Sequence, residues 1–221
     1  MSRKFSIAIA GNMGVGKSTL TQLLAKHLGW TPFYEAVDDN PYLADFYQDM
    51  RQWSFHSQIF FLSRRLRVQS EIVQHPDSVI QDRSIYEDAE IFARNLYQRG
   101  SMSKRDYQVY RDLYQEFIQF LPIPDVIIYL KASVPTLIGR IQRRGRDFER
   151  GISPLYLQQL NELYNGWIED FTLCPILMVP SDNLDFVNNE QHFNQIVQQI
   201  REKLGEKNLD SYPASTLTHV I

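Results

Sequence analysis

Apolar and polar positions along the chain follow two alternating rhythms. Five short apolar runs read as buried strands, at residues 5–10, 32–37, 78–82, 125–130 and 176–179. Between them, apolar residues recur at helical spacing. Leu20, Leu23, Leu24 and Leu28 share one face, with Gly29 as the stop signal. Tyr107, Tyr110, Tyr114, Phe117 and Ile118 form a second stripe, opened by Ser103 as N-cap with Asp106 three residues on. Ser153-Pro154 opens a third, carrying Leu157, Leu160, Tyr164, Trp167 and Ile168. Phe193, Ile196, Val197, Ile200 and Leu204 define a fourth. The stripes are read as core faces, and the alternation predicts an α/β fold, a five-stranded parallel sheet flanked by helices.

Composition narrows the class. The 221 residues suit one α/β domain, expected over residues 1–208, with a hydroxyl-rich, aperiodic and mobile tail over 209–221. With 43% hydrophobic and 22% charged residues, intrinsic disorder is excluded. Cys174 is the single cysteine, which excludes an internal disulfide and a cysteine-based zinc cage. His27, His56, His75, His192 and His219 show no metal-ligand spacing. At a net charge of −3 there is no global attraction to nucleic acid or anionic membrane. No apolar run approaches the roughly 18 residues of a membrane span, and the stretch after Arg3-Lys4 is too short for a signal peptide. A cytoplasmic protein is expected.

Gly11-Asn12-Met13-Gly14-Val15-Gly16-Lys17-Ser18 fulfils G-x-x-x-x-G-K-S between a predicted strand and a predicted helix. Glycines let the backbone curl so that successive N–H groups face phosphate oxygens, and the helix adds its positive end. Lys17 is expected on the β- and γ-phosphates and Ser18 on Mg²⁺, with Thr19 one step off the metal position. This motif names a nucleotide, not a reaction. The guanine-reading Asn-Lys-x-Asp and the Asp-x-x-Gly of switch GTPases are both missing. A small kinase leads, and it needs an acceptor base and cations for the transferring phosphoryl group. Arg140, Arg143, Arg144, Arg146 and Arg150 place five arginines in eleven residues, read as a mobile lid over about residues 140–152. Glu35 ends the second predicted strand, where open α/β sheets place their ligands, and Asp82-Arg83-Ser84 ends the third in the same layer. A glutamate there can take the proton of a sugar hydroxyl while Arg83 holds the oxygen and the phosphate.

Taken in order, several motifs together resemble the deoxyribonucleoside kinase family, P-loop enzymes that phosphorylate the 5′-hydroxyl of deoxynucleosides. They are the P-loop, Glu35, Trp53-Ser-Phe-His-Ser-Gln58 with Ser63-Arg64, Asp82-Arg83-Ser84 with Asp88, and the arginine lid. The resemblance spans about residues 5–204. It implies a P-loop kinase fold, Mg²⁺ with ATP as donor, and a homodimer for which residues 107–120 would serve. Glu35 takes the role of general base, with Arg83 on the same oxygen and the phosphate beside it. Arg144 and Arg146 would neutralise the transferring phosphoryl group, and Arg140 would brace the phosphate side. Asp82 matches a metal-side acid that relatives often carry as Glu; one methylene shorter, it is expected to reach Mg²⁺ through water. Tyr47 and the lid-borne Glu149 match the pair that grips the 3′-hydroxyl, and Asp185-Phe186 the loop on the donor adenine.

For the base, the resemblance implies two hydrogen bonds from Gln58, an Asp88 held by Arg64 that accepts from an exocyclic amino group, and Phe92 stacked on the ring. Trp53 joins the substrate-contacting set. An ionised Asp88 disfavours thymine, which leaves deoxyadenosine, deoxyguanosine or deoxycytidine, deoxyadenosine first. Ser57 departs from relatives with an aromatic beside Gln58 and widens the pocket, which Phe61 partly refills. Two alternatives stand beside this reading: a kinase acting on a nucleoside monophosphate, and a non-catalytic ATP-binding regulatory module. The first needs extra cations outside the lid, and the second has no need of Glu35.

Overall fold

Parallel neighbours in a sheet must be joined by crossovers, so each strand here is followed by helix that covers one face of the sheet. The computed structural model describes residues 3–35, 39–149 and 151–205. Its strands are β1 (Ser6–Gly11), β2 (Thr31–Phe33), β3 (Val79–Asp82), β4 (Val126–Lys131) and β5 (Ile176–Pro180). They form one all-parallel sheet in the order β2-β3-β1-β4-β5. The helices are α1 (Lys17–Leu28), α2 (Leu43–Gln48), α3 (Met50–Gln74), α4 (Ile85–Glu87), α5 (Arg94–Gln98), α6 (Lys104–Ile118), α7 (Val134–Arg144), α8 (Pro154–Asp170) and α9 (Glu190–Leu204). A π-helical turn, Asp88–Ala93, joins α4 to α5. Among the described residues no helix is long and apolar enough to cross a membrane.

Both faces of the sheet are covered, and the period of two along each strand sorts the side chains. Ile7, Ile9, Val126, Ile128 and Leu130 enter one core with Leu20, Leu24, Leu137 and Ile196. Ala8, Ala10, Ile127 and Tyr129 enter the other with Leu62, Tyr110, Leu160 and Tyr164. The expected caps form: Ser103 Oγ accepts the Asp106 N–H at 3.1 Å, Ser153 Oγ accepts the Leu155 N–H at 3.2 Å, and Gly29 closes α1 in the left-handed conformation.

Two expectations are corrected. β2 ends at Phe33, so Glu35 lies beyond the strand; Val37, like Arg150 and the tail from residue 206, lies outside the described residues. The buried stripe on α6 is also narrower than the spacing predicts. Tyr110 and Tyr114 are buried, whereas Phe117 turns outward beside Val109 and Leu113.

Register then builds the site. Ile9 pairs with Asp82 and Gly11 with Leu130, so the loop after β1 emerges beside Asp82 and Arg83. Gly11 itself has φ +146°, and a Cβ there would lie 2.6 Å from the Leu130 carbonyl oxygen. We expect Gly11→Ala to cost about 1–3 kcal/mol, read as a Tm lowered by several degrees. An unchanged Tm would mean the strands are not held this close.

Candidate active site

The carboxyl ends of β1 and β3 and the segment after β2 open into one cavity of about 1000 Å³. Residues 13–19 line one end; Glu35, Tyr47, Gln58, Asp88 and Phe92 line the other, with residues 140–149 and 182–188 contributing further wall. Asp82 and Arg83, consecutive in the chain, link the two ends through Ser18 and Glu35 respectively.

At the loop end, Lys17 is almost fully buried and its Nζ donates to the carbonyls of Gly11 (2.9 Å) and Asn12 (3.1 Å). Burial, reinforced by the Arg83 guanidinium, lowers its pKa to about 8. Asn12 turns its amide away from the cavity, donating to the Leu157 carbonyl and Asn161 Oδ1, while its Oδ1 accepts the Met13 N–H. Ser18 Oγ donates to Asp82 Oδ2 at 2.5 Å, and Asp82 Oδ1 is buried without a hydrogen-bond partner. Burial pushes the Asp82 carboxyl up, against the pull of Lys17. Arg140 ties this end to the protein: Nη1 donates to the Val15 carbonyl (2.7 Å) and to Ser181 Oγ (2.8 Å). Phe186 packs beside Gly16, and Asp185 fastens its own turn by accepting the N–H groups of Val187 and Asn188.

At the acceptor end, Glu35 Oε1 lies 2.7 Å from Arg83 Nε and 3.4 Å from Arg65 Nη2. Burial would raise its pKa, but Arg83, Arg65 and Lys17 together outweigh that and hold the carboxyl below its ordinary value. Arg83 is the one non-glycine residue with positive φ (+69°) among those described. Such backbone costs energy and persists only where its surroundings fix it. Here the Arg83 N–H donates to the Ile9 carbonyl, Arg65 Nη1 donates to the carbonyls of Asp82 and Arg83, and Ser84 with Glu87 forms a capping box. The Arg83 guanidinium lies 4.3 Å from the Phe92 ring centroid.

The side wall comes from α3, whose inward face is mostly polar: Ser54, Ser57, Gln58, Leu62, Arg65, Gln69 and Ile72. Gln58 Oε1 is buried without a partner beside Phe61 and Phe92. Asp88 Oδ2 accepts from Arg65 Nε at 3.1 Å, and burial pushes Asp88 up while Arg65 pulls it back. The expected Arg64 partner is therefore corrected to Arg65. Arg65 is seven residues from Gln58 and shares its face; Arg64 is turned about 100° away, over the Phe60 ring at 5.2 Å. Trp53 is likewise corrected. It stacks on Tyr42 (5.8 Å between centroids), meets the His56 ring at a tilt (5.4 Å), and does not line the cavity. Ser57 is buried as acceptor of Asn40 Nδ2 at 3.0 Å, so it leaves the wall to Phe61.

The lid folds on itself. Arg144 Nη2 lies 2.6 and 2.7 Å from the two oxygens of Glu149, and Arg146 Nη1 lies 3.8 Å from Oε1. Glu149 and Tyr47 face the same cavity, and burial, with nearby Tyr156 and Glu149, raises the Tyr47 hydroxyl pKa. Two buried groups were not singled out from sequence: Arg65, and Glu87 with its Tyr164 partner at 2.7 Å. The heptad step from Gln58 and the Ser84-x-x-Glu87 capping box are the signals that mark them.

A phosphate-cradling loop, a buried carboxylate held by arginine and an arginine lid around one cavity define a P-loop phosphotransferase with a hydroxyl acceptor. The deoxynucleoside kinase family model matches residues 7–205, and the chain belongs to that family. It is 43% identical over 196 residues to a deoxyadenosine/deoxycytidine kinase of Bacillus subtilis, covering 88% of this chain and 90% of the relative. It is 37% identical over 209 residues to a deoxyadenosine kinase of Lactobacillus acidophilus, covering 90% and 96%. The structure of deoxyadenosine kinase from M. mycoides with products dCMP and a flexible dCDP aligns with a TM-score of 0.81 at 31% identity, over 90% of this chain and 100% of that one. The same enzyme with bound dATP aligns at 0.79 and 30%, over 89% and 99%. The chain is a deoxynucleoside kinase.

Proposed function

We propose that the enzyme transfers the γ-phosphoryl group of Mg·ATP to the 5′-hydroxyl of deoxyadenosine by direct in-line attack, with deoxycytidine and deoxyguanosine as further acceptors. The observation that carries the choice of base is the Asp88–Arg65 pair beside the unpartnered Gln58 Oε1. Both oxygens suit an exocyclic amino group, and neither suits the carbonyl that thymine offers there. The names of the relatives run the same way. Glu35 takes the 5′-hydroxyl proton, Arg83 holds the oxygen, Lys17 with Arg144 and Arg146 offsets charge on the phosphoryl group, and Tyr47 with Glu149 holds the 3′-hydroxyl. Ser18 and the unpartnered Asp82 Oδ1 suit a hard cation. The described residues contain no cluster of three or more His, Cys, Asp or Glu that could hold an ion, so Mg²⁺ would draw most of its oxygens from phosphates and water. Ser18 and Asp82 would hold the ion, which would supply positive charge to offset that of the phosphates.

Competition among the four deoxynucleosides and their monophosphates in a coupled ADP-release assay tests the reading. The expected order puts deoxyadenosine first and thymidine last; thymidine as best acceptor, or turnover confined to monophosphates, would overturn it. Asp88→Ala with Arg65→Met should shift preference toward thymidine, and an unchanged ranking would remove both from base recognition.

The position of Lys17 predicts a pH dependence. With a pKa near 8, the free enzyme loses the ammonium charge as pH rises through that value, whereas polyphosphate binding favours the charged form. Mg·ATP affinity should therefore fall above about pH 8, approaching tenfold per pH unit, with proton uptake on binding. Calorimetry in buffers of different ionisation enthalpy reads both effects. A constant affinity between about pH 7 and 9 would contradict them.

A homodimer is proposed through α6. Val109, Leu113 and Phe117 recur every four residues on its outer face, each at least 39% exposed, and Phe120 beyond it is 81% exposed. Phe117→Glu should give a monomer in sedimentation velocity.

A further inference from the structure

Glu87 and Tyr164 are fully buried, yet neither lines the cavity. A buried carboxylate demands hydrogen-bond donors, and Glu87 has gathered them. Its Oε1 accepts the Gly11 N–H at 3.0 Å, and its Oε2 accepts the Ser84 N–H at 2.7 Å and Ser84 Oγ at 3.0 Å. The Tyr164 hydroxyl lies 2.7 Å from Glu87 Oε1 and 2.9 Å from the Gly11 carbonyl, and can donate to either. Arg83 Nη1 donates to that hydroxyl at 3.4 Å and lies 3.8 Å from Glu87. The Gly11 carbonyl also receives Lys17 Nζ. One buried pair thus touches the first glycine of the P-loop, the strained Arg83 turn, and an atom shared with Lys17.

We infer that Glu87 and Tyr164 are positioning residues that fix the donor-side P-loop against the acceptor-side Arg83, so that Lys17 and Arg83 meet the same phosphoryl group in line. Neither residue touches substrate. In-line transfer is steep in geometry: misplacing a group by about 1 Å costs on the order of 10²-fold in rate. Ground-state binding, spread over the whole cavity, is far less sensitive. The pair should therefore act on kcat and leave KM nearly alone. The inference rests on Arg83 serving the transferred phosphoryl group, as proposed above.

Tyr164→Phe removes one hydroxyl and no packing volume. Its kcat should fall about 10–100-fold, with KM for ATP and deoxyadenosine each within about threefold of wild type. Glu87→Gln, made in parallel, keeps the shape while halving the acceptor set, and should show the same split. In an Arg83→Lys background the further effect of Tyr164→Phe should shrink to about threefold or less, since both changes break one arrangement. Tyr114→Phe, which removes a hydroxyl from the same core, should keep wild-type kcat. Wild-type kcat in Tyr164→Phe would overturn the inference. So would a loss matched by a lower fraction of folded enzyme, or an equal loss in Tyr114→Phe, since both mean core packing alone. If Arg83→Lys itself keeps wild-type turnover, the assignment of Arg83 fails, and the inference falls for that reason rather than its own.

Discussion

Glu35→Gln is expected to bind deoxyadenosine about as tightly as wild type while turning over roughly 10²–10⁴-fold more slowly, the usual worth of a positioned acid–base group. The substitution preserves shape and one acceptor oxygen but removes the capacity to take a proton. Two arginines hold the carboxylate, Arg83 at 2.7 Å and Arg65 at 3.4 Å, on elements flanking the cavity. The same cations hold the Glu35 pKa below the ordinary carboxylate range, so the group is ionised throughout neutral pH, as the proposed base must be. The sign follows: a carboxylate with a depressed pKa keeps its function as pH falls to its unperturbed value, and loses it only below that. Stability contributed by the Glu35–Arg83 pair is likewise present above the unfolded pKa and lost as pH falls through the folded one. Single-turnover kinetics with calorimetric nucleoside binding separate the two effects. Near wild-type turnover would remove Glu35 from the chemistry.

Arg83→Lys should lower kcat by about 10²–10³, the scale seen when one preorganised donor to a transition state is removed. A lysine carries the charge but not the fork. Arg83 keeps Nε 2.7 Å from Glu35, donates from Nη1 to Tyr164 and holds its guanidinium carbon 4.3 Å from the Phe92 ring centroid, and a single ammonium cannot reach all three. The φ of +69° is strained for Arg and Lys alike, so the substitution adds no new backbone cost and any rate loss belongs to the side chain. A kcat within threefold of wild type would show that charge alone suffices.

How much of this was legible depended on how local each feature is. The P-loop is contiguous and sits between two strongly patterned elements, so its residues and setting could be read directly. The same holds for the capped helices α1, α6 and α8, whose start or stop residues adjoin their apolar stripes. Legibility failed where a buried face is not apolar. α3 turns Ser54, Ser57, Gln58, Arg65 and Gln69 inward, so hydrophobic periodicity cannot orient it, and it offers no check on the Arg64 that the resemblance implies beside Asp88. β2 was overextended because apolar residues continue past Phe33, yet at the sheet edge only three residues pair with β3. Phe117 was assigned to the core because a stripe on a helix does not say which neighbour covers it. The π-helical turn that carries Asp88 and Phe92 has no sequence marker; in the chain it comes directly after the strained Arg83 turn and the Glu87 cap.

The most direct test of the account follows the phosphoryl group itself. Enzyme incubated with Mg·[γ-³²P]ATP and deoxyadenosine should yield labelled 2′-deoxyadenosine 5′-monophosphate, sensitive to 5′-nucleotidase, and 2′,5′-dideoxyadenosine should yield no labelled nucleoside at all. Label on the 3′-oxygen, label carried equally by the 5′-deoxy compound, or release of inorganic phosphate alone would contradict transfer to the 5′-hydroxyl by the site built around Glu35 and Arg83.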